Sequence, residues 1–246
     1  MFYVSKIKTI AEIGSNWNGD NNLAKKIISL AKSSGLDYVK FQMWRANDLY
    51  NDKHPDWKYI KKSELTPNSA KIMKRHADKI GIDCFWSVFY PESVDYLESL
   101  NVKLYKIASI TSALKHKYAR ETLEKVAETK KPVIISMGLG GDIKLINKIF
   151  KNNSKIFLYC ISDYPTKIKK IDFKNFQKFD GFSDHTEGNL APLLFALKSK
   201  NQTSIKYLEK HISVDESVGP DKPFSISLDQ YSDLIKDIKN VKFSNF

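Results

Sequence analysis

The sequence predicts a (β/α)8 barrel, a strand–helix unit repeated eight times and closed on itself. Short β-rich apolar runs alternate with amphipathic helical stretches along the chain, an order that implies parallel pairing. Eight such units fall within 246 residues, close to the roughly 250 usual for this architecture. The chief alternative, an open doubly wound sheet, calls for a glycine-rich phosphate loop after the first strand, and none follows.

In chain order the strand candidates are KTIAEIG (8–14), YVKFQMW (38–44), DCFWSVF (83–89), LYKIAS (104–109), VIISMG (133–138), KIFLYCIS (155–162), DGFSDH (180–185) and SIKYLEKHI (204–212). Helices are expected over 20–34, 68–80, 91–100, 117–130, 141–152, 189–200 and 228–239. The link between the sixth and seventh strands, 166–179, is irregular, with room for a short helix only. No low-complexity linker or composition shift divides the chain, so a single barrel domain is expected over 1–246.

With 42% apolar and 12% aromatic residues, the composition is that of a globular protein. No run approaches the length of a membrane span, and the N-terminus lacks the layout of a secretory signal. A cytoplasmic protein is the expectation. The formal charge of +12 raises the question of nucleic acid. Its excess is nearly all lysine, however, since Arg45, Arg75 and Arg120 are the only arginines. The lysines are also scattered over the predicted helices and form no stripe, which argues for solvated faces and against a nucleic-acid surface. Cys84 and Cys160 fall inside apolar strands and read as buried thiols of a reducing compartment.

Buried parallel strands should be nearly continuous apolar runs. Here polar residues interrupt them at or near their C-terminal ends: Glu12, Lys40, Gln42, Lys106, Ser109, Ser136, Asp184, His185, Glu209 and His211. In a barrel those ends line one mouth, where active sites of this fold are built. Burying charge there costs several kcal/mol per ion unless it is paired or bound, so the pattern predicts a pocket. Alternation places Lys40 with Gln42, and Glu209 with His211, on inward faces, while Lys210 and Asp184 point to the opposite side. Two lysines with Ser109, Ser136 and Ser183 make a cradle for phosphate and carboxylate. His185 and His211, on adjacent strands with Glu12 on the next, make an imidazole pair that suits Mn, Fe or Zn alike. His54, His76 and His116 lie in a loop, a helix and a loop–helix junction, where surface roles are expected.

Taken together, IAEIGSNWNGD, YVKFQMW, YKIAS, YPT, GFSDHTEG, EKHISVD and GPD resemble the N-acetylneuraminate (sialic acid) synthase family, in order and over nearly the whole chain. That family also includes legionaminic and pseudaminic acid synthases. The resemblance implies a barrel that condenses phosphoenolpyruvate with an N-acylated aminosugar such as N-acetylmannosamine. It implies a divalent metal on His185 and His211, typically manganese, with magnesium, cobalt or zinc as alternatives. By the same likeness Lys40, Lys106, Ser109, Ser136 and Ser183 hold the phosphoenolpyruvate anion. Glu12 and Asp221 orient the sugar or a metal-bound water, and Gln42, Ser162, Tyr164 and Glu209 line the substrate pocket. The sequence departs from the family at Ser109-Ile110-Thr111, where SGE is usual, and at Ser87-Val88-Phe89, where STP is usual. Ser162 replaces an asparagine, and Trp17 a histidine. Members usually add a C-terminal antifreeze-like domain, so a cap on a separate polypeptide or a homodimer is a further expectation. Two other readings stand beside the synthase: an aldolase-like barrel with a Schiff base on Lys40 or Lys106, and a degenerate synthase that binds a sugar or a pathway partner.

Overall fold

Eight parallel strands close into a barrel in the computed structural model, which describes residues 7–199 and 204–240. The strands are β1 (Ile7–Glu12), β2 (Tyr38–Met43), β3 (Asp83–Val88), β4 (Tyr105–Ile107), β5 (Val133–Ser136), β6 (Lys155–Tyr159), β7 (Gly181–Asp184) and β8 (Lys206–Ser213). Each pairs with its neighbour, and β1 pairs with β8 over Ile7–Lys206 to Glu12–His211, which shuts the ring. A two-residue strand β9 (Ile226–Ser227) extends the end of β8. The crossover helices are α1 (Asn21–Ser33), α2 (Pro67–Ile80), α3 (Pro91–Ser99), α4 (Ala119–Glu128), α5 (Ile143–Ile149), α6 (Asn175–Lys178), α7 (Leu190–Ser199) and α8 (Leu228–Asn240). The outer six residues at each end of the expected 1–246 domain, and Lys200 at the end of the expected seventh helix, lie outside the described residues.

Local chemistry sets the helix boundaries. Asp20 caps α1 by accepting from the backbone N–H groups of Asn22 and Leu23, and Thr66 caps α2 with Pro67 at its first turn. Gly81 ends α2 in the left-handed conformation at φ 73°. Helix α5 is shorter than the expected 141–152, because Asp142 caps its start and the chain leaves the helix at Phe150. Three short helices, Ala46–Leu49, Trp57–Lys62 and Ser109–Ser112, have no counterpart in the periodicity. The last of these takes Ser109 out of the fourth strand, where it was expected, and puts it just beyond.

The barrel interior is layered. Ile10, Phe85, Ile134 and Leu158 form a buried cluster of their own, with Tyr38, Leu104, Ile156 and Tyr207 packed against it. Contributed by odd and even strands alike, these side chains fill the barrel, as the fold requires. Alternation then brings Lys40, Lys106 and Glu209 inward two residues further along β2, β4 and β8. Glu12, Ser87, Ser136 and Ser183 follow inward on the odd strands. The apolar layers form a floor, and the polar layers above it are the bottom of the mouth. Outside the barrel, the larger core lies between strands and helices, with Val39, Phe41, Trp86, Ile135 and Phe182 facing the helix layer.

Candidate active site

Every residue assigned from the sequence to catalysis or binding lines one cavity of about 670 Å³ at the C-terminal mouth. The strand ends supply its inner part. Lys40, Lys106, Glu12 and Glu209 are all buried there, and they form a connected ionic network. Lys40 is ion-paired to Glu12 and lies 3.5 Å from Glu209 Oε2. Lys106 lies 3.6 Å from Glu209 Oε1 and donates to Ser136 Oγ at 2.6 Å. Ser183 donates to Glu209 Oε1 at 2.7 Å, and Lys40 donates to Ser87 Oγ at 3.0 Å. The strand register explains these meetings: Glu12 sits opposite Lys40 on one side and His211 on the other, and Ser183 sits opposite Glu209.

Burial and charge pull on this network in opposite directions. Burial works against the ammonium of Lys40, but Glu12 and Glu209 outweigh it and raise its pKa. Burial also works against the Glu209 carboxylate, yet Lys106 and Lys40 hold its pKa down at about 2. Burial lowers Lys106, with Glu209 opposing. Burial raises Glu12, against the pull of Lys40. The result is a Glu209 carboxylate shared between two ammonium groups.

Beside the lysines is a small polar recess. Ser109 Oγ lies 3.1 Å from Cys160 Sγ and accepts from the backbone N–H of Gly138 at 3.0 Å. A side chain at position 138 would meet Cys160 Sγ at 2.6 Å, Ser162 Oγ at 2.8 Å and Ser109 Oγ at 3.0 Å. Only glycine leaves that space open, with three polar side chains converging on it. Cys160 and Ser87 both line the cavity, and the sequence reading did not assign either one to it. The inward alternation that selected Lys106 and Ser136 would have found them.

The two histidines stand further out. Their ring centroids are 5.6 Å apart. His185 Nδ1 is bonded to the Ile161 carbonyl at 2.8 Å, while the backbone N–H of Thr166 donates to the His185 carbonyl at 2.8 Å. With Nδ1 donating to a carbonyl, Nε2 carries the ring's lone pair. Burial, reinforced by His211, lowers the His185 pKa to about 3, and burial lowers that of His211 to about 4. Both rings are therefore neutral, as metal ligands must be. His211 Nδ1 is buried and has no hydrogen-bond partner. The donor chemistry thus fits a divalent ion held by this pair, with water or substrate completing its coordination. Among the described residues no group of three or more His, Cys, Asp and Glu adds a further ligand set. Phe224 packs 4.8 Å from His211, and Tyr164 packs 4.4 Å from His185, centroid to centroid.

Asp221 is held beside them from the loop after β8. Its Oδ2 accepts from both the backbone N–H and the hydroxyl of Ser15, at 2.6 and 2.7 Å. Gly14, at φ 52°, permits this approach, since a side chain there would lie 2.3 Å from that oxygen. Gln42 accepts from Trp44 Nε1 at 3.1 Å. Asp184 and Lys210 face away as expected, but toward the helix layer, where they pair at 2.7 Å without exposure to water. Thr111 is buried, bonded to His116 at 2.9 Å, and does not line the cavity. His54 does line it, which corrects the surface role expected from its loop position.

Fold and site define a (β/α)8 barrel enzyme with a polar pocket at its strand ends. The profile of the NeuB family matches residues 27–245, and the chain belongs to that family. It is 32% identical to the N,N'-diacetyllegionaminic acid synthase of Campylobacter jejuni, over 97% of this chain and 77% of that protein. It is 30% identical to the pseudaminic acid synthase of Helicobacter pylori, over 94% and 73% respectively. Among solved structures, the N-acetylneuraminic acid synthetase of Leptospira borgpetersenii, in complex with citrate, superposes with a TM-score of 0.84 at 25% identity. That superposition covers 98% of this chain and 88% of the other.

Proposed function

We propose that this chain condenses phosphoenolpyruvate with an N-acylated aminosugar aldehyde, of the N-acetylmannosamine kind, to give a sialic-acid-type nonulosonate and inorganic phosphate. The observation that carries the reading is the inner cavity: two buried ammonium groups beside hydroxyls and a glycine-lined recess. That is a receptor for one small molecule bearing both a carboxylate and a phosphate. In the reaction, C3 of phosphoenolpyruvate bonds to the aldehyde carbon and water adds at C2. The C2–O bond to phosphate then breaks.

Lys106 and Lys40 hold the anion as it displaces Glu209 from between them, and Ser109, Ser136, Ser162 and Ser183 fix its orientation. Glu12, on the strand between Lys40 and His211, and Asp221, anchored by Ser15, orient the sugar so that its aldehyde carbon faces the enol. His185 and His211 would hold a divalent ion, manganese by family resemblance, which when bound polarises the aldehyde oxygen as a Lewis acid. Gln42 and Tyr164 border the same space.

The test is release of phosphate from phosphoenolpyruvate with a panel of N-acylated aminosugars, with and without Mn²⁺. Metal-dependent release with at least one sugar is expected. Absence of release with every sugar would favour the degenerate, sugar-binding reading. One observation keeps the Schiff-base reading in play: burial lowers the pKa of Lys106, as an imine-forming lysine requires. Borohydride trapping of pyruvate on Lys106 would support it, and no trapping is expected.

A further inference from the structure

Behind the two histidines, on the helix side of the barrel wall, lies a charged pair that the proposed reaction does not use. Lys210 and Asp184 are 0% and 1% exposed, and their ammonium and carboxylate meet at 2.7 Å. Phe182, Leu208 and Ile212, which share that strand face by alternation, all belong to the apolar core between strands and helices. Taking such a pair out of water costs several kcal/mol per ion, and apolar side chains of the same volume serve stability as well or better. What the pair supplies is direction. Asp184 accepts from the backbone N–H of Thr186 through Oδ1 and from its hydroxyl through Oδ2, both at 3.0 Å. Lys210 also donates to the Thr186 carbonyl. The ladder between β7 and β8 ends where Asp184 faces Lys210. Beyond that point the Lys210 ammonium ties β8 to the turn that carries His185.

We propose that Lys210 and Asp184 are a positioning pair, which from the outer face of the wall fixes the separation and aim of the His185 and His211 rings. The inference rests on the reading of those histidines as holders of a divalent ion. Each partner directly precedes one histidine, Asp184 before His185 and Lys210 before His211. Along a strand, pinning an outward side chain sets the direction of the inward one beside it. Joining the two outward side chains therefore couples the two inward rings, whose centroids are 5.6 Å apart. On the β6 side, Thr166 holds the His185 carbonyl and Ile161 its Nδ1. Lys210 and Asp184 supply the hold on the β8 side. Apolar residues of equal volume would keep the packing but not this constraint, because apolar contact has no preferred direction. Ligand distances to a metal ion are set to within about 0.2 Å, so loss of the constraint falls on metal affinity before it falls on the fold.

Lys210→Met alone strands a buried carboxylate and is expected to destabilise the fold, so the test variant changes both partners, Asp184→Asn with Lys210→Met. The full chain and this variant are compared by calorimetric titration with Mn²⁺ and with phosphoenolpyruvate, by thermal unfolding without metal, and by metal-free crystal structures. The variant is expected to bind Mn²⁺ at least about 10-fold more weakly, a loss of about 1.4 kcal/mol. Its unfolding midpoint should stay within about 5 °C of the parent, and its affinity for phosphoenolpyruvate should be unchanged. The separation of the two ring centroids should shift by about 1 Å. Thr186→Val removes only the hydroxyl bond to Asp184, leaves both charges in place, and should weaken Mn²⁺ binding about threefold. Unchanged Mn²⁺ affinity in both variants, or unchanged ring separation in the double variant, overturns the inference. A parallel fall in Mn²⁺ affinity, phosphoenolpyruvate affinity and unfolding midpoint also overturns it, because that marks a role in the fold alone. Absence of Mn²⁺ binding by the parent chain would instead overturn the two-histidine reading, and the ring separation would then decide the positioning pair by itself.

Discussion

The floor and the wall of the cavity are built by different means. The floor is made of strand ends: Glu12, Lys40, Lys106, Ser136, Ser183 and Glu209 are each buried and tied to a neighbour across the barrel ladder. The wall comes from loops: the long segment after β2 brings Trp44, Leu49, Tyr50, His54 and Asp56, and the segment after β8 brings Asp221 and Phe224. The floor is ionic and rigid, and the wall is mostly apolar and held by packing. A strand end fixes a side chain to within the register of its ladder, which suits groups that must meet reacting atoms. Loops vary more freely, which suits the part that reads one sugar among many.

The largest test of this division is at the histidines. His185→Ala and His211→Ala should each lower turnover by about 10³-fold or more, the worth of several kcal/mol of Lewis-acid stabilisation. Circular dichroism should show the fold intact, and full activity retained by either variant after chelation would sink the two-histidine site. Next in size, Lys106→Ala should raise the KM for phosphoenolpyruvate by about 100-fold through loss of a charged hydrogen bond. The KM for the sugar should move far less, and equal shifts in both would remove the distinction between floor and wall.

A third test uses pH. Burial, the leading cause, holds His185 and His211 at about 3 and about 4 when folded, below the unfolded value of about 6.5. Below that unfolded value the open chain binds more protons than the folded one. The stability is therefore fully present above about pH 6.5 and is lost as pH falls toward 4. Each histidine adds a slope of up to about 1.4 kcal/mol per pH unit. Urea denaturation of the metal-free protein across that range should show the slope, and a His185→Gln/His211→Gln variant should flatten it. Glu209, depressed to about 2 when folded, adds a loss confined to lower pH, below its unfolded value of about 4.3. The smallest effect belongs to the wall. Leu49→Ala should raise the KM for the sugar about fivefold, the worth of roughly 1 kcal/mol of apolar contact, and leave that for phosphoenolpyruvate in place.

How much of this was legible beforehand follows the same division. A lysine or glutamate inside an apolar strand is an anomaly with a sharp position, and alternation says which face it takes. Lys40, Lys106, Glu209 and His211 could therefore be assigned to the mouth one residue at a time. Asp221 and Tyr164 were reached only through motif resemblance, because no periodicity runs through their loops. His54 was misread for that reason: nothing in 44–66 shows that this loop turns back over the barrel. Cys160 and Ser87 share the inward parity of the assigned residues but read as ordinary strand residues, being small and uncharged.

By itself the sequence determined the barrel, its strand order and the residues of its ionic floor, because hydrophobic period and polar interruption are local and repeat along the chain. The tertiary structure decided which of those charges meet: that Glu209 lies between two lysines, that Glu12 pairs with Lys40, and that Lys210 is buried against Asp184. It also decided the wall, since loop paths depend on contacts between residues far apart in the chain, such as the 206 positions that separate Ser15 from Asp221. Such contacts leave no period in the sequence to read.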